Sequence, residues 1–315
     1  MVLTVRTGAP RHGAGRIPEV LYVYTMNFEH LKALSAVVET GSFDSAATLL
    51  GITPSAVSQR IKALETSVGQ ILVRRSLPSS PTDAGAVLLR TARQIQALEA
   101  DALQSLGQGH SGRTTASVAV NADSLATWFT PVLHEAATWP DTELDLHIED
   151  QDHSSRLLRQ GDVLGAVTTD PKPVGGCRAE LLGVMRYLPA ASLDLQQRFE
   201  TAGGINWQEM PMLRFSAKDG MQHRLLRSRG VEDFPPTHTI PSSEGFLEAA
   251  RAGLGWGMIP EQQLHPAIRS RGLAPIAGAP HQDVALYWQC WSLTSPRLER
   301  ITEAVRSAGQ FLHQN

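Results

Sequence analysis

Cysteine is almost absent. Two of the 315 residues are cysteine, Cys177 and Cys290, and neither sits in a C-x-x-C pair or beside histidines at zinc spacing. Two reduced thiols are therefore expected, with no disulfide framework and no metal centre. Long apolar runs are also missing. Nothing approaches the roughly 18 residues that a membrane helix needs. Val20-Leu21-Tyr22-Val23-Tyr24 is short. The stretch before it, with Arg6, Arg11, Arg16, Gly13 and Gly15, lacks the apolar region and small-residue cleavage site of a signal peptide. An unexported cytoplasmic protein without membrane attachment is expected. Charge of one sign is not in excess either: the net charge is -3. That argues against a nucleic-acid coat protein but leaves room for a small module with a local basic surface. Enzyme signatures are missing too, with no G-x-S-x-G, no P-loop and no G-x-G-x-x-G opening a helix. Gly253-Leu254-Gly255-Trp256-Gly257 is glycine-rich but precedes a strand, whereas a phosphate-cradling loop precedes a helix. No enzyme activity and no cofactor are expected.

What is present is a chain that is 42% hydrophobic, enough for real cores, and long enough for two or three domains at roughly 100–200 residues each. Residues 1–25 are rich in Gly, Arg and Pro and show no helical apolar period. They read as a disordered extension, or as an extension upstream of a natural start at Met26, with a basic arm reaching DNA as the alternative. Helical periodicity begins at Phe28, with Leu31, Leu34, Val37 and Val38, and stops at Gly41. Ser42 is placed to cap a second helix ending at Gly51. Thr53 caps a third, with Pro54 in its first turn and Val57, Ile61, Leu64 and Val68 on its apolar face. Ile71 to Arg75 reads as a short strand and Ser76 to Pro81 as a turn. A long helix is expected from Thr82 to about Leu106, and Gly107 to Gly112 as a linker.

Beyond the linker the pattern changes to alternating strands and helices. Strands are expected at Val118-Val120, Leu144-Ile148, Val163-Val167, Met212-Phe215, His238-Ile240 and Trp256-Ile259. Helices are expected at Asp123-Thr138, Ser154-Arg159, Met221-Ser228, Glu244-Ala252 and Arg297-Leu312. Such alternation argues an α/β architecture with mostly parallel strands.

Three short helices that cannot bury their own apolar faces must pack on one another, and the tight Gly51-Ile52-Thr53 turn gives helix-turn-helix geometry. In that geometry the later helix presents its N-terminal residues to the major groove. Its outward residues are Ser55, Ser58, Gln59 and Lys62, beside Arg60. Ser and Gln read base edges, whereas Lys62, Arg60 and the pair Arg74-Arg75 neutralise phosphates. Ser42, Thr53 and Pro54 complete the candidate DNA-binding set. An amphipathic helix shows polar residues outward in any case, so the weight lies on three helices followed by a basic strand.

Residues 26–85 resemble the N-terminal domain of LysR-type transcription regulators. The resemblance is carried by Phe28-Glu29-His30-Leu31-Lys32-Ala33-Leu34, Gly41-Ser42-Phe43-Asp44-Ser45-Ala46-Ala47, Thr53 through Glu65, Gly69, Arg75 and Thr82-Asp83-Ala84-Gly85. It implies a winged helix-turn-helix over 26–85, a linker and dimerisation helix with its hinge over 82–112, and a periplasmic-binding-protein-like effector domain over 113–315. The first lobe would be about 113–187 with 285–315, and the second about 188–284. A dimer or tetramer, promoter DNA and RNA polymerase are the implied partners. The stripe of Leu88, Ile95, Leu98 and Leu103 is long for one small domain to cover, so a partner helix is expected to bury it, with the chain's own sensor domain as the alternative.

The second half is similar to one branch of that family, the ArgP/LysG-type regulators of basic amino-acid export. The similarity runs through Val120 to Phe129, Glu149-Asp150, Arg159 to Val167, Pro211 to Phe215, Ser242 to Phe246 and Leu286-Tyr287-Trp288. It implies lysine or arginine as effector, an exporter gene as target, and activation. The residues suit that chemistry. Ligands in open α/β sheets bind beyond the carboxyl ends of strands. Asn121, Asp123 and Ser124 lie at such an end, where a helix begins. A basic amino acid needs anions for two cationic groups, and Asp123, Glu149, Asp150 and Asp170 follow strands. Ser242, Ser243 and Glu244 stand at a second strand-to-helix junction. Asp123 and Ser124 could equally cap a helix, Glu149 and Asp150 could be solvated turn residues, and Trp128 and Trp288 fit a core better than a ligand. A LysR-type regulator of another metabolite and a solute-binding receptor are the competing readings.

Overall fold

The computed structural model describes residues 26–106, 114–149, 151–265 and 272–314. They divide into two compact units, residues 26–99 with 159–161 and the remainder. The expectations for residues 1–25, for the linker Gly107 to Gly112 and for Asp150 lie outside the described residues.

In the first unit, α1 (Phe28–Thr40), α2 (Phe43–Leu50) and α3 (Pro54–Val68) start at the caps Asn27, Ser42 and Thr53. They end at Gly41, Gly51 and Gly69. Each terminal glycine is left-handed, at φ 65–73°, a backbone state in which a side chain is strained. Leu31, Leu34, Val37, Ala46, Val57, Ile61 and Leu64 meet in one core, and Leu88, Leu89 and Ala92 of α4 (Asp83–Ser105) close it. Leu88 thus serves its own domain, whereas Ile95, Leu98 and Leu103 further along α4 are exposed. Ser76 to Pro81 is not wholly a turn. Its end forms β2 (Ser80–Pro81), antiparallel to β1 (Val73–Arg74), and the pair makes a two-stranded wing.

The wing is fastened from both sides. Glu65 of α3 accepts a 2.9 Å hydrogen bond from the Leu72 amide. Thr82 donates to the Ile71 carbonyl at 2.7 Å and accepts from the Gly85 amide at 3.0 Å. A Cβ on Gly85 would lie 1.9 Å from the Leu72 carbonyl oxygen, so the helix can approach the wing only with glycine there.

The second unit is built on a seven-stranded sheet. β3 (Thr114–Val120) pairs in parallel with β4 (Thr142–Ile148) and β5 (Gly165–Thr168). Two long antiparallel strands, β6 (Cys177–Ser192) and β13 (Gln282–Trp291), cross from this first lobe into a second. There β6 receives β11 (Gly257–Pro260) and β12 (Leu273–Pro275), both antiparallel. The sheet is therefore mixed, not mostly parallel. β6 escapes period-2 reading because its inner stretch is buried without alternation and it carries Gly183 and Pro189, residues that usually demote a strand. After α8 (Leu193–Arg198) and the hairpin β7 (Glu200–Thr201) and β8 (Gly204–Ile205), the second lobe continues with β9 (Met212–Arg214) and α9 (Met221–Ser228). β10 (Thr237–Thr239) and α10 (Ser243–Arg251) follow before β11, with β9 and β10 parallel.

The single helix expected over Asp123–Thr138 is two, α5 (Ala122–Leu125) and α6 (Thr130–Ala136). Pro131 sits in the first turn of α6, where its missing N–H cannot continue a helix from α5. The break drops Trp128 and Phe129 into the core. α7 (Gln151–Gln160) lies between β4 and β5, and α11 (Pro296–Gly309) closes the lobe. The Trp288 indole donates to Thr302 of α11 at 3.1 Å, so both tryptophans weighed above are core residues.

Candidate DNA-reading face and effector cleft

The recognition face follows from how α3 is anchored. Val57, Ile61 and Leu64 are fully buried, so residues on the opposite side must face out. Ser55, Gln59 and Lys62 are exposed and Ser58 half-buried, spaced to share one stripe. Thr53 accepts from the Ala56 amide at 3.2 Å, and Ser42 caps α2 by accepting from the Ser45 amide at 3.1 Å. These two bonds fix where α2 and α3 begin. Arg74 and Arg75 are exposed on the wing, the Arg75 guanidinium lying 5.0 Å from the centre of the Phe43 ring. One member of the expected set is placed differently. Arg60 is half-buried and forms a 3.0 Å ion pair with Glu29, which fastens α3 to α1. It lies between the apolar stripe and the exposed one, and its charge is partnered by Glu29 at the domain surface.

Between the lobes of the second unit lies a cleft of about 590 Å³. From the first lobe Asn121, Asp123, Ile148 and Glu149 reach it. The second lobe adds the Phe215–Met221 loop, Arg224, Ser243 and Gln263. Asp123 is the centre of the polar wall. Its carboxylate accepts from the Ser243 hydroxyl at 2.8 Å and from the Tyr187 hydroxyl at 3.0 Å. Ser243 in turn accepts from Gln263 at 3.0 Å. Asp123 keeps some surface toward the cleft, but the protein packed around its carboxylate raises its pKa through burial. The two hydroxyl donors pull the other way, and the nearby Asp219 charge adds to the rise. The Tyr187 phenol is raised well above its ordinary value, chiefly by burial and then by the Asp123 charge. Asp219 is held rigidly, accepting from the Phe215 amide at 2.9 Å and the Met221 amide at 3.1 Å.

Of the effector residues expected from sequence, Asn121, Asp123, Glu149 and Ser243 line the cleft. Ser124 does not. It is fully buried and its hydroxyl has no hydrogen-bond partner, while its amide is taken by Asn121 at 2.7 Å. Asn121 is thus the cap, and α5 is one turn long. Asp170 is a turn residue that accepts from the Lys172 amide and is not among the cleft residues. Ser242 caps α10 by accepting from the Gly245 amide, and Glu244 is exposed away from the cleft. Tyr187, Lys218, Asp219, Arg224 and Gln263 were not expected. Tyr187 lies in β6, which the period did not reveal, Gln263 lies in the short helical segment 261–265 after β11, which no cap or period marked, and the Ser216–Gly220 loop has no motif of its own.

A winged helix-turn-helix and a two-lobed α/β unit with a polar cleft in one chain define a ligand-responsive DNA-binding regulator. Residues 28–86 match the model of the bacterial regulatory helix-turn-helix protein, lysR family, and residues 109–310 match that of the LysR substrate binding domain. The chain belongs to the LysR family, and it is a transcription regulator and not an enzyme. It is 49% identical over 290 residues to the HTH-type transcriptional regulator LysG of Mycobacterium tuberculosis, covering 90% of this chain and 94% of that one. It is 44% identical over 285 residues to the lysine export transcriptional regulatory protein LysG of Corynebacterium glutamicum, covering 90% and 98%. The full-length structure of Corynebacterium glutamicum LysG with bound effector Arg superposes with a TM-score of 0.82 at 41% identity, covering 92% of this chain and all of that one. Among the described residues no helix is long and apolar enough to cross a membrane, and no group of His, Cys, Asp and Glu could hold a metal ion.

Proposed function

We propose that the chain activates a basic amino-acid exporter gene in response to arginine or lysine bound between the lobes of residues 113–315. The observation that carries this reading is the charge of the cleft. Asp123, Glu149 and Asp219 face Lys218 and Arg224, three carboxylates against two cations. A ligand with one carboxylate and two cationic groups complements that balance, whereas a neutral amino acid leaves an anion unmatched. Asp123 and Asp219 take the cationic groups, and Lys218 or Arg224 the carboxylate. Ile148, Phe215 and Met258 supply apolar wall for an aliphatic stem. The names of the relatives support the same ligand class.

At the other end, Ser55, Ser58, Gln59 and Lys62 enter the major groove of promoter DNA, with Ser42, Thr53 and Pro54 setting the helix end and Arg74 and Arg75 on phosphates. The exposed Ile95, Leu98 and Leu103 on α4 pack against the same stripe of a second copy, so a dimer reads two half-sites. Activation works through RNA polymerase in the cytoplasm, as the family resemblance implies. The effector acts by binding one arrangement of the lobes better than another.

Calorimetry with arginine, lysine and a neutral amino acid, paired with footprinting upstream of the neighbouring exporter gene, tests the reading. Heat with the basic pair and an altered footprint are expected. No heat with either at millimolar concentration overturns it.

A further inference from the structure

The last residues of the chain return to the crossing strands. Strand β6 and residue 313 exchange both backbone hydrogen bonds, His313 N–H to the Val184 carbonyl at 3.0 Å and Val184 N–H to the His313 carbonyl at 2.9 Å. Leu312 is buried. The tail lies so close that a Cβ on Gly183 would stand 2.7 Å from the Leu312 Cβ and 3.0 Å from the His313 carbonyl oxygen. At φ 147° Gly183 also holds a backbone state that side chains disfavour. Glycine in the middle of a long strand thus has a physical reason: it makes room for the tail.

The tail is also tied to the second lobe. The Gln262 amide donates to the Phe311 carbonyl at 2.7 Å, and the Glu261 carboxylate pairs with the His313 ring at 2.7 Å. The next residue, Gln263, points the other way, into the cleft, where it donates to Ser243, the donor to Asp123. Three consecutive residues therefore join the end of the chain to the polar wall of the cleft.

We propose that residues 311–314 position the effector site: they clamp Glu261 and Gln262 and thereby hold Gln263 against Ser243. The role in effector affinity rests on the reading of the cleft given above, while the clamp itself does not. Gln262→Met keeps the bulk of the side chain and removes the donor, and His313→Ala removes the ring contact with Glu261, so the double variant loosens the clamp in the full chain without truncating it. Arg306→Ala is the control. It removes the bonds of Arg306 to Glu180 of β6 and, within α11, to Glu303, without touching the Glu261–Gln263 segment. In the double variant the dissociation constants for arginine and lysine rise about three- to tenfold, from the net worth of one or two hydrogen bonds. Amide exchange over Ser243–Ala250 quickens without effector. Arg306→Ala changes neither. Unchanged affinity and exchange in the double variant, or an equal change in Arg306→Ala, overturns the proposal. Should the parent protein take up neither amino acid, the effector reading falls, and the exchange comparison still decides whether the tail clamps the cleft.

Discussion

Asp123→Asn separates effector binding from folding with unusual clarity. The amide keeps the size of the carboxyl group and removes its charge. Asp123 has two hydroxyl donors, Ser243 and Tyr187, and a hydroxyl can reverse its role, so the variant can keep a hydrogen-bonded wall. A hydrogen bond to a charged partner contributes about 1.5–3 kcal/mol, so losing the carboxylate–ammonium contact weakens arginine binding roughly 10- to 150-fold. Stability moves oppositely. Burial holds the Asp123 carboxyl above its ordinary value of 3.8. A carboxyl raised in the folded state stabilises the fold below the unfolded value, and that contribution is lost as pH rises through the folded value. Asparagine has no such loss, so at neutral pH the effector-free variant is at least as stable as the parent while binding worse. In the parent, affinity for a cation falls as pH drops through the raised pKa, because binding demands the ionised carboxylate. The variant lacks that slope. Calorimetry across pH 4–8 with thermal melts without effector measures both. Parent-like affinity, or a large loss of stability with affinity intact, would refute a ligand role and leave Asp123 a structural residue.

Gln59→Ala and Arg74→Ala should differ in kind. The first costs about 1–3 kcal/mol on the operator and relaxes specificity, while the second weakens all DNA and lowers the salt slope by about one, as titrations at several salt concentrations will show. Arg60→Ala should leave the salt slope unchanged and lower the stability of the first unit by at most about 1 kcal/mol, since it breaks a partly exposed ion pair with Glu29, and a denaturant melt checks it. Gly85→Ala drives a methyl group into the Leu72 carbonyl and should destabilise the first unit by about 1–3 kcal/mol or more, with loss of DNA binding in a gel shift.

The helix-turn-helix was legible because every signal in it is local. Caps at Ser42 and Thr53, stop glycines at 41, 51 and 69 and an apolar stripe at helical period act within one or two turns of chain, and all of them stand in the structure as the period demanded. Arg60 escaped the same reading because its partner, Glu29, is 31 residues away, and nothing in the period says which of two adjacent polar residues turns inward. In the second unit the helices α9 and α10 stood out, while β6 and β13 did not. Their burial is decided by lobes on either side, so they show no single alternation.

The effector cleft shows the same division. Asn121, Asp123, Glu149 and Ser243 could be named because residues just beyond strands converge in such folds. Ser124 was misplaced because the one-turn helix at that junction buries its third residue, Ser124, and turns its second, Asp123, toward the cleft, a difference of about 100° that the sequence does not mark.

Sequence alone determined the three helices of the first unit, the face of α3 left exposed and the family, since periodicity, capping and motif are properties of contiguous residues. Tertiary structure alone decided which carboxylates share the cleft, that Tyr187 and Gln263 support them, and that the chain end lies on Gly183. Asp123 meets Tyr187 and Ser243, 64 and 120 positions away, and the chain end meets β6 more than a hundred positions away, pairings that the crossing strands β6 and β13 bring within bonding distance.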